Sequence, residues 1–295
     1  MPLVRLGGLS SIVVNLVALV FLWLFLQPSP APGMQSKRAD REERAIELLR
    51  QNRVAEARAE LQAILKEQPD NQRAAAYLAA AELEAGEADA AIARTRRLLE
   101  ADPENTDLRA LLARAYMADQ DWERSEKEWR AVLGARPNSE EAHAQLAQVL
   151  LQLGRFEEGL GEIQRAIRIN PRRSDARALH GNLLASLGRG DEAVEEWNAA
   201  LRLDANNVAA LAGLAAHLRE RSPDFALECA RRAVELSNWE RVGPIRILAL
   251  VYRSRGELDR AREVLEKALA KFPDNPLLGA ELQALRRQSR PAPKK

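Results

Sequence analysis

Three histidines, a single cysteine and five tryptophans are the side chains of this 295-residue protein suited to ligation, nucleophilic attack or aromatic recognition. His143, His180 and His217 recur at a spacing of 37 residues. Metal ligands must converge within about 2 Å of one ion, which side chains spread over three stacked units rarely do, so no metal site is expected. His180 reads instead as a packed histidine at a helix interface. Cys229 is alone, so it closes no intramolecular disulfide and builds no thiolate site. With no base near it in sequence, it reads as a small packing residue. Trp122, Trp129 and Trp197 fall in packing columns and read as core. No nucleophile with its base and no phosphate cradle accompanies these residues, which points to a non-enzyme that needs no cofactor.

Composition agrees with a folded scaffold: 46% of residues are hydrophobic and 29% charged, with only 4% aromatic. Lys plus Arg number 44 against 43 Asp plus Glu, a balance that creates no field for nucleic acid and argues against it as a partner. Only the end of the chain is basic without compensation, through Arg286, Arg287, Arg290, Lys294 and Lys295. Pro291 and Pro293 keep that stretch from forming helix, and a short solvated tail is favoured over a contact with anionic lipid or nucleic acid.

The elements that must position these residues repeat every 34 residues from Arg38 to Asn275. Seven units result: 38–71, 72–105, 106–139, 140–173, 174–207, 208–241 and 242–275. One column holds Ala45, Ala79, Ala113, Ala147, Gly181, Ala215 and Ala249; a second holds Ala57, Ala91, Ser125, Gly159, Ala193, Ala226 and Ala261. Every one is small, as two amphipathic helices need where their backbones approach. A third column, Pro69, Pro103, Pro137, Pro171, Ala205, Asn238 and Pro273, stops the second helix of each unit. Asp70 and Asn71, Asn105 and Thr106, Asn138 and Ser139, and Asp274 and Asn275 offer caps for the helices that follow. Gly86, Gly154, Gly188 and Gly256 fall at the turn between the two helices, where a left-handed residue is needed.

These columns resemble the tetratricopeptide repeat family over about four fifths of the chain. The third unit matches best, with Leu112, Ala113, Tyr116, Ser125, Trp129, Val132 and Pro137 where the family places its signature. The resemblance implies an all-α solenoid, a right-handed superhelix of seven helix-turn-helix repeats, each with a helix A and a helix B. Residues 276–288 read as a helix capping the open end of the stack, ahead of the tail at 289–295. The sixth unit departs from the pattern, since its turn around Ser222, Pro223 and Asp224 is one residue short and register returns near Arg241.

The resemblance further implies that helix A residues line a concave groove that accepts an extended peptide or a partner helix. On this sequence the groove positions are Ala76, Tyr77, Ala110, Arg114, Met117, Ala144, Gln148, Leu151, Ala178, Asn182 and Ala212. A floor of alanines leaves room for a partner's backbone or bulky side chains, while Arg114, Gln148 and Asn182 supply donors. Alanine is also simply a good helix former, which is the competing reading of the same column. The lysine and asparagine clamp by which some members grip a C-terminal carboxylate is incomplete, because Ala178 and Gly213 stand at two of its positions.

Ahead of the repeats, beyond the flank 1–5, residues 6–26 form an uncharged stretch of 21 residues, 16 of them apolar. As a helix it would be about 30 Å long, the thickness of a bilayer's hydrocarbon core. It is longer than the apolar part of a cleaved signal peptide, so a retained transmembrane anchor is favoured. Arg5 beside it suggests a repeat array outside the cytoplasm, in the periplasm or its equivalent, although Lys37, Arg38 and Arg41 weigh the other way. Residues 27–37, with three prolines, read as a spacer. The chain thus resembles single-pass membrane-anchored bacterial tetratricopeptide-repeat proteins. That resemblance implies an adaptor that binds a protein or peptide partner and assists envelope assembly, secretion or protein maturation. The alternative is a homo-oligomeric coat that self-assembles on the membrane.

Overall fold

Helices form where the period puts them, because each unit carries two apolar stripes separated by a turn signal. The computed structural model describes residues 34–288, with side chains from residue 40 onward, and these residues form fifteen α-helices and no strand. Residues 6–26, expected to be the anchor, lie outside the described residues, as does the tail 289–295. Among the described residues no helix is long and apolar enough to cross a membrane. The first helix begins at Met34, inside the stretch 27–37 expected to be a spacer, whose residues 27–33 lie outside the described residues.

The described chain divides into two compact units at Gly154 and Arg155, inside the fourth repeat. The first unit holds α1 (Met34–Arg50), α2 (Val54–Glu67), α3 (Gln72–Glu84), α4 (Ala88–Ala101), α5 (Thr106–Ala118), α6 (Trp122–Ala135) and α7 (Glu140–Gln152). Successive helices pack antiparallel on one another, and the large buried side chains Ile46, Leu61, Tyr77, Trp129 and Leu146 fill the gaps. The second unit holds α8 (Phe156–Ile169), α9 (Ser174–Ser186), α10 (Gly190–Leu203), α11 (Val208–Leu218), α12 (Pro223–Leu236), α13 (Val242–Ser254), α14 (Leu258–Lys271) and α15 (Pro276–Gln288). One continuous apolar cluster runs through it from Ala178 to Leu285. The capping helix α15 buries Leu278, Leu282 and Leu285 against that cluster. Each such burial contributes about 1.5–3 kcal/mol, which closes the end of the stack.

Both small-residue columns are buried in every repeat, as a close approach of helix A and helix B requires. The contact is direct: Ser125 Oγ donates to the carbonyl of Ala113 at 2.9 Å, joining one column to the other. The turn glycine is needed where φ turns positive, as at Gly86 (φ 80°), whose successor Glu87 donates its N–H back to Glu82 O at 2.8 Å. Asn52 and Gln120 take the same left-handed conformation in the first and third repeats. Of the expected caps, Asn71, Asn105, Ser139 and Asn275 accept backbone N–H bonds, and Asn207 does so ahead of α11.

The register break in the sixth repeat has a visible outcome. Helix α11 is 11 residues long, against 13 for α9 and α13, and α12 opens with Pro223 in its first turn. The missing residue is made up after α12, where Asn238 (φ 49°) and Trp239 (φ 60°) are consecutively left-handed. That conformation is costly for a bulky residue, and the Lys267 ammonium, 3.8 Å from the centre of the Trp239 ring, helps to hold it.

Candidate functional site

In the second unit the A helices α9, α11 and α13 lie side by side, and α11 lines the open side with Ala209, Ala212, Gly213 and Ala216, flanked by Val208 and His217. The result is an open pocket of about 880 Å³. Asn182 and Ala185 form one bank and Val242, Gly243, Pro244 and Ile247 the other, with Ala209, Ala212, Gly213 and Ala216 between them. Trp197, from α10, closes the floor.

Two glycines bring Trp197 there. A Cβ on Gly181 would meet Trp197 Nε1 at 2.6 Å, and one on Gly213 would meet its Cε2 at 2.3 Å. The indole therefore occupies a slot between α9 and α11 that exists only because both side chains are missing. Its N–H donates to Asn182 Oδ1 at 3.0 Å, which orients the ring and leaves the Asn182 amide nitrogen as a donor. His217 packs against the indole with ring centroids 6.1 Å apart and planes tilted by 56°. A third glycine, Gly190, makes room for that imidazole, since a Cβ there would meet His217 Cε1 at 2.2 Å.

The charged rim is uneven. Arg219 donates to Ala216 O at 2.6 Å and pairs with Glu220 at 3.3 Å, so its guanidinium is already engaged. Arg241, the residue before α13, is exposed, makes no capping bond and has no ion-pair partner among the described residues.

Burial sorts the residues expected to line a groove. In the first unit, Ala110, Arg114, Met117, Ala144, Gln148 and Leu151 are half-buried on α5 and α7. Arg114 pairs with Glu84 at 3.6 Å, and the Met117 sulfur accepts the Trp129 indole N–H at 3.4 Å. Ala76 is 3% exposed and Tyr77 fully buried, so both are packing residues rather than partner contacts. In the second unit Asn182 lines the pocket, Ala212 lies in its floor at 9% exposure, and Ala178 is wholly buried. The reason is the close approach of neighbouring A helices, which turns the fifth repeat position into a helix-to-helix contact. Trp197, His217 and Arg241 belong to the pocket and were not expected there. The available signal was a tryptophan column facing glycine at both Gly181 and Gly213.

The other chemically suggestive residues have structural roles. His143 Nε2 lies 2.9 Å from Pro137 O, and His180 Nδ1 lies 3.4 Å from Glu196 Oε1. The adjacent His180 imidazole is the main reason that the Glu196 carboxyl is held below its usual range, with Arg177 adding to it and burial opposing it. Cys229 is 3% exposed, and burial pushes its thiol up to about 11, which leaves no thiolate near neutral pH.

Family models of the tetratricopeptide repeat match residues 82–128, 110–174 and 242–285. No curated protein matches the sequence. Among solved structures, a tetratricopeptide repeat protein from Parabacteroides merdae is similar at 16% identity and a TM-score of 0.67, over 84% of this chain and 98% of that one. A chain of the Cut9–Hcn1 hetero-tetramer of the APC/C is similar at 16% identity and a TM-score of 0.66, over 84% of this chain and 49% of that one. PilF of Pseudomonas aeruginosa is similar at 20% identity and a TM-score of 0.56, over 72% of this chain and 96% of that one. Tetratricopeptide repeats are thus matched over residues 82–174 and 242–285, and the chain shares the helical repeat fold of these structures.

Proposed function

We propose that the protein is a membrane-anchored adaptor whose A-helix groove holds a protein or peptide partner. The observation that carries this reading is the open pocket of about 880 Å³ on α9, α11 and α13, far larger than packing defects in a well-filled interior. Half-buried Ala110, Arg114, Met117, Ala144, Gln148 and Leu151 offer further partner-facing surface on the first unit. The uncharged stretch 6–26 is the basis for proposing an anchor, and Arg5 for placing the repeats outside the cytoplasm. In that position the adaptor would serve envelope assembly, secretion or protein maturation.

Co-purification from cells tests the reading. Ala209 is exposed on α11 and lines the pocket, so Ala209→Trp fills the groove without disturbing the core. The variant should lose the co-purifying partner while its melting temperature stays unchanged. Equal recovery from both proteins would contradict the groove assignment, and recovery of nothing but further copies of this chain would favour a self-assembling coat.

A further inference from the structure

We infer that the second-unit groove selects a partner segment carrying an aromatic side chain close to a carboxylate. This rests on the groove reading above and adds the chemistry of the occupant. The aromatic half follows from the floor. Ala209, Ala212 and Ala216 present only methyl groups to the open pocket beside the indole of Trp197. The neighbouring walls are apolar too, through Ile247 and Val242. An aromatic ring placed there meets the indole and the His217 imidazole at offset or edge-on angles, the arrangements aromatic pairs prefer.

The carboxylate half follows from a comparison between repeats. Arg173 and Arg241 occupy the same place, immediately before helix A, in the chain's fourth and sixth units. Arg173 is satisfied by Asp175 two residues on, with Nε 3.0 Å from Oδ1. The residue two after Arg241 is Gly243, which carries no acid. Arg241 is thus left exposed on the rim without an ion pair among the described residues. The other rim arginine, Arg219, already has Glu220. The free charge on the groove is therefore a planar guanidinium, which recognises a carboxylate by two parallel hydrogen bonds. The Asn182 amide supplies a neutral donor on the opposite bank.

Panning a phage-displayed random peptide library on the full-length chain, purified in detergent, tests both halves. Enriched sequences should place Phe, Tyr or Trp within a few residues of Asp or Glu. A fluorescein-labelled synthetic peptide of the commonest enriched sequence should bind Arg241→Glu about tenfold more weakly or worse, with Arg241→Lys intermediate. Both variants should melt as the parent does, since the side chain is exposed. Enrichment without the aromatic and acid pairing would overturn the inference. So would a peptide that is blocked by Ala209→Trp yet indifferent to Arg241→Glu, although the groove reading would then survive. No enrichment over protein-free resin, or binding indifferent to both variants, would overturn the two together.

Discussion

Trp129 in the first unit and Trp197 in the second occupy the same repeat position with different partners, and Trp197 walls the pocket on α9, α11 and α13. Trp129 is 1% exposed, faces Ala113 and gives its indole N–H to the sulfur of Met117. Trp197 is 3% exposed, faces Gly181 and Gly213, and gives its N–H to Asn182 on the groove bank. The difference lies in the partners rather than in the tryptophan. With no Cβ at Gly181 and Gly213, the Trp197 indole fits between α9 and α11, where it also lines the pocket. At the fifth repeat position, Ala178 of the second unit is buried while Ala144 of the first remains half-exposed.

The largest expected effect falls on the purely structural member of the pair. Trp129→Ala should cost about 3–5 kcal/mol of stability in urea denaturation, the range for truncating a fully buried aromatic. A loss near zero would mean that the ring is not core. Refilling the slot comes next: Gly213→Val forces the Trp197 ring out of place and should cost about 1–3 kcal/mol by overpacking. Gln145→Val, at the same repeat position in the first unit, should change stability by about 0.5 kcal/mol or less. Equal costs for the two would erase the proposed contrast.

Smaller effects sharpen it. Asn182→Ala removes the acceptor for the buried indole N–H and should cost about 1 kcal/mol, whereas Gln148→Ala at the same repeat position should cost little. The smallest concerns acid. Because the Glu196 carboxyl is held below its usual range, chiefly by His180, its contribution is present above the ordinary carboxylate range and lost as pH falls through the depressed value. Melting temperature followed between about pH 5 and pH 3 should therefore fall less steeply for Glu196→Gln than for the parent. An unchanged slope would show that the His180 contact does not bias the carboxyl.

Much of this architecture was legible in the residues. The small columns, the prolines and the turn glycines each answer to a backbone requirement, so a fixed period locates helices, turns and the cap at 276–288 without reference to packing. Two boundaries escaped that logic. The first helix starts at Met34 because nothing after Gly33 breaks it, and α11 is short because the sixth repeat loses a residue at its turn. The candidate site was legible only in part. Periodicity says which stripe of a helix is buried but not how near the neighbouring helix comes, and that distance decided the fate of Tyr77 and Ala178. Trp197 was read as core from its column; its second role depends on Gly181 and Gly213, which lie 16 residues before and after it and become its neighbours only in three dimensions.

Site-specific photo-crosslinking in cells tests most directly that this groove is where a partner binds. A photoreactive residue at Ala209 points into the pocket region, and one at Glu195, exposed on α10 and outside the lining, serves as control. A discrete adduct to a second polypeptide from Ala209 alone is the predicted result. Equal adducts from both positions, or none from Ala209, would contradict it.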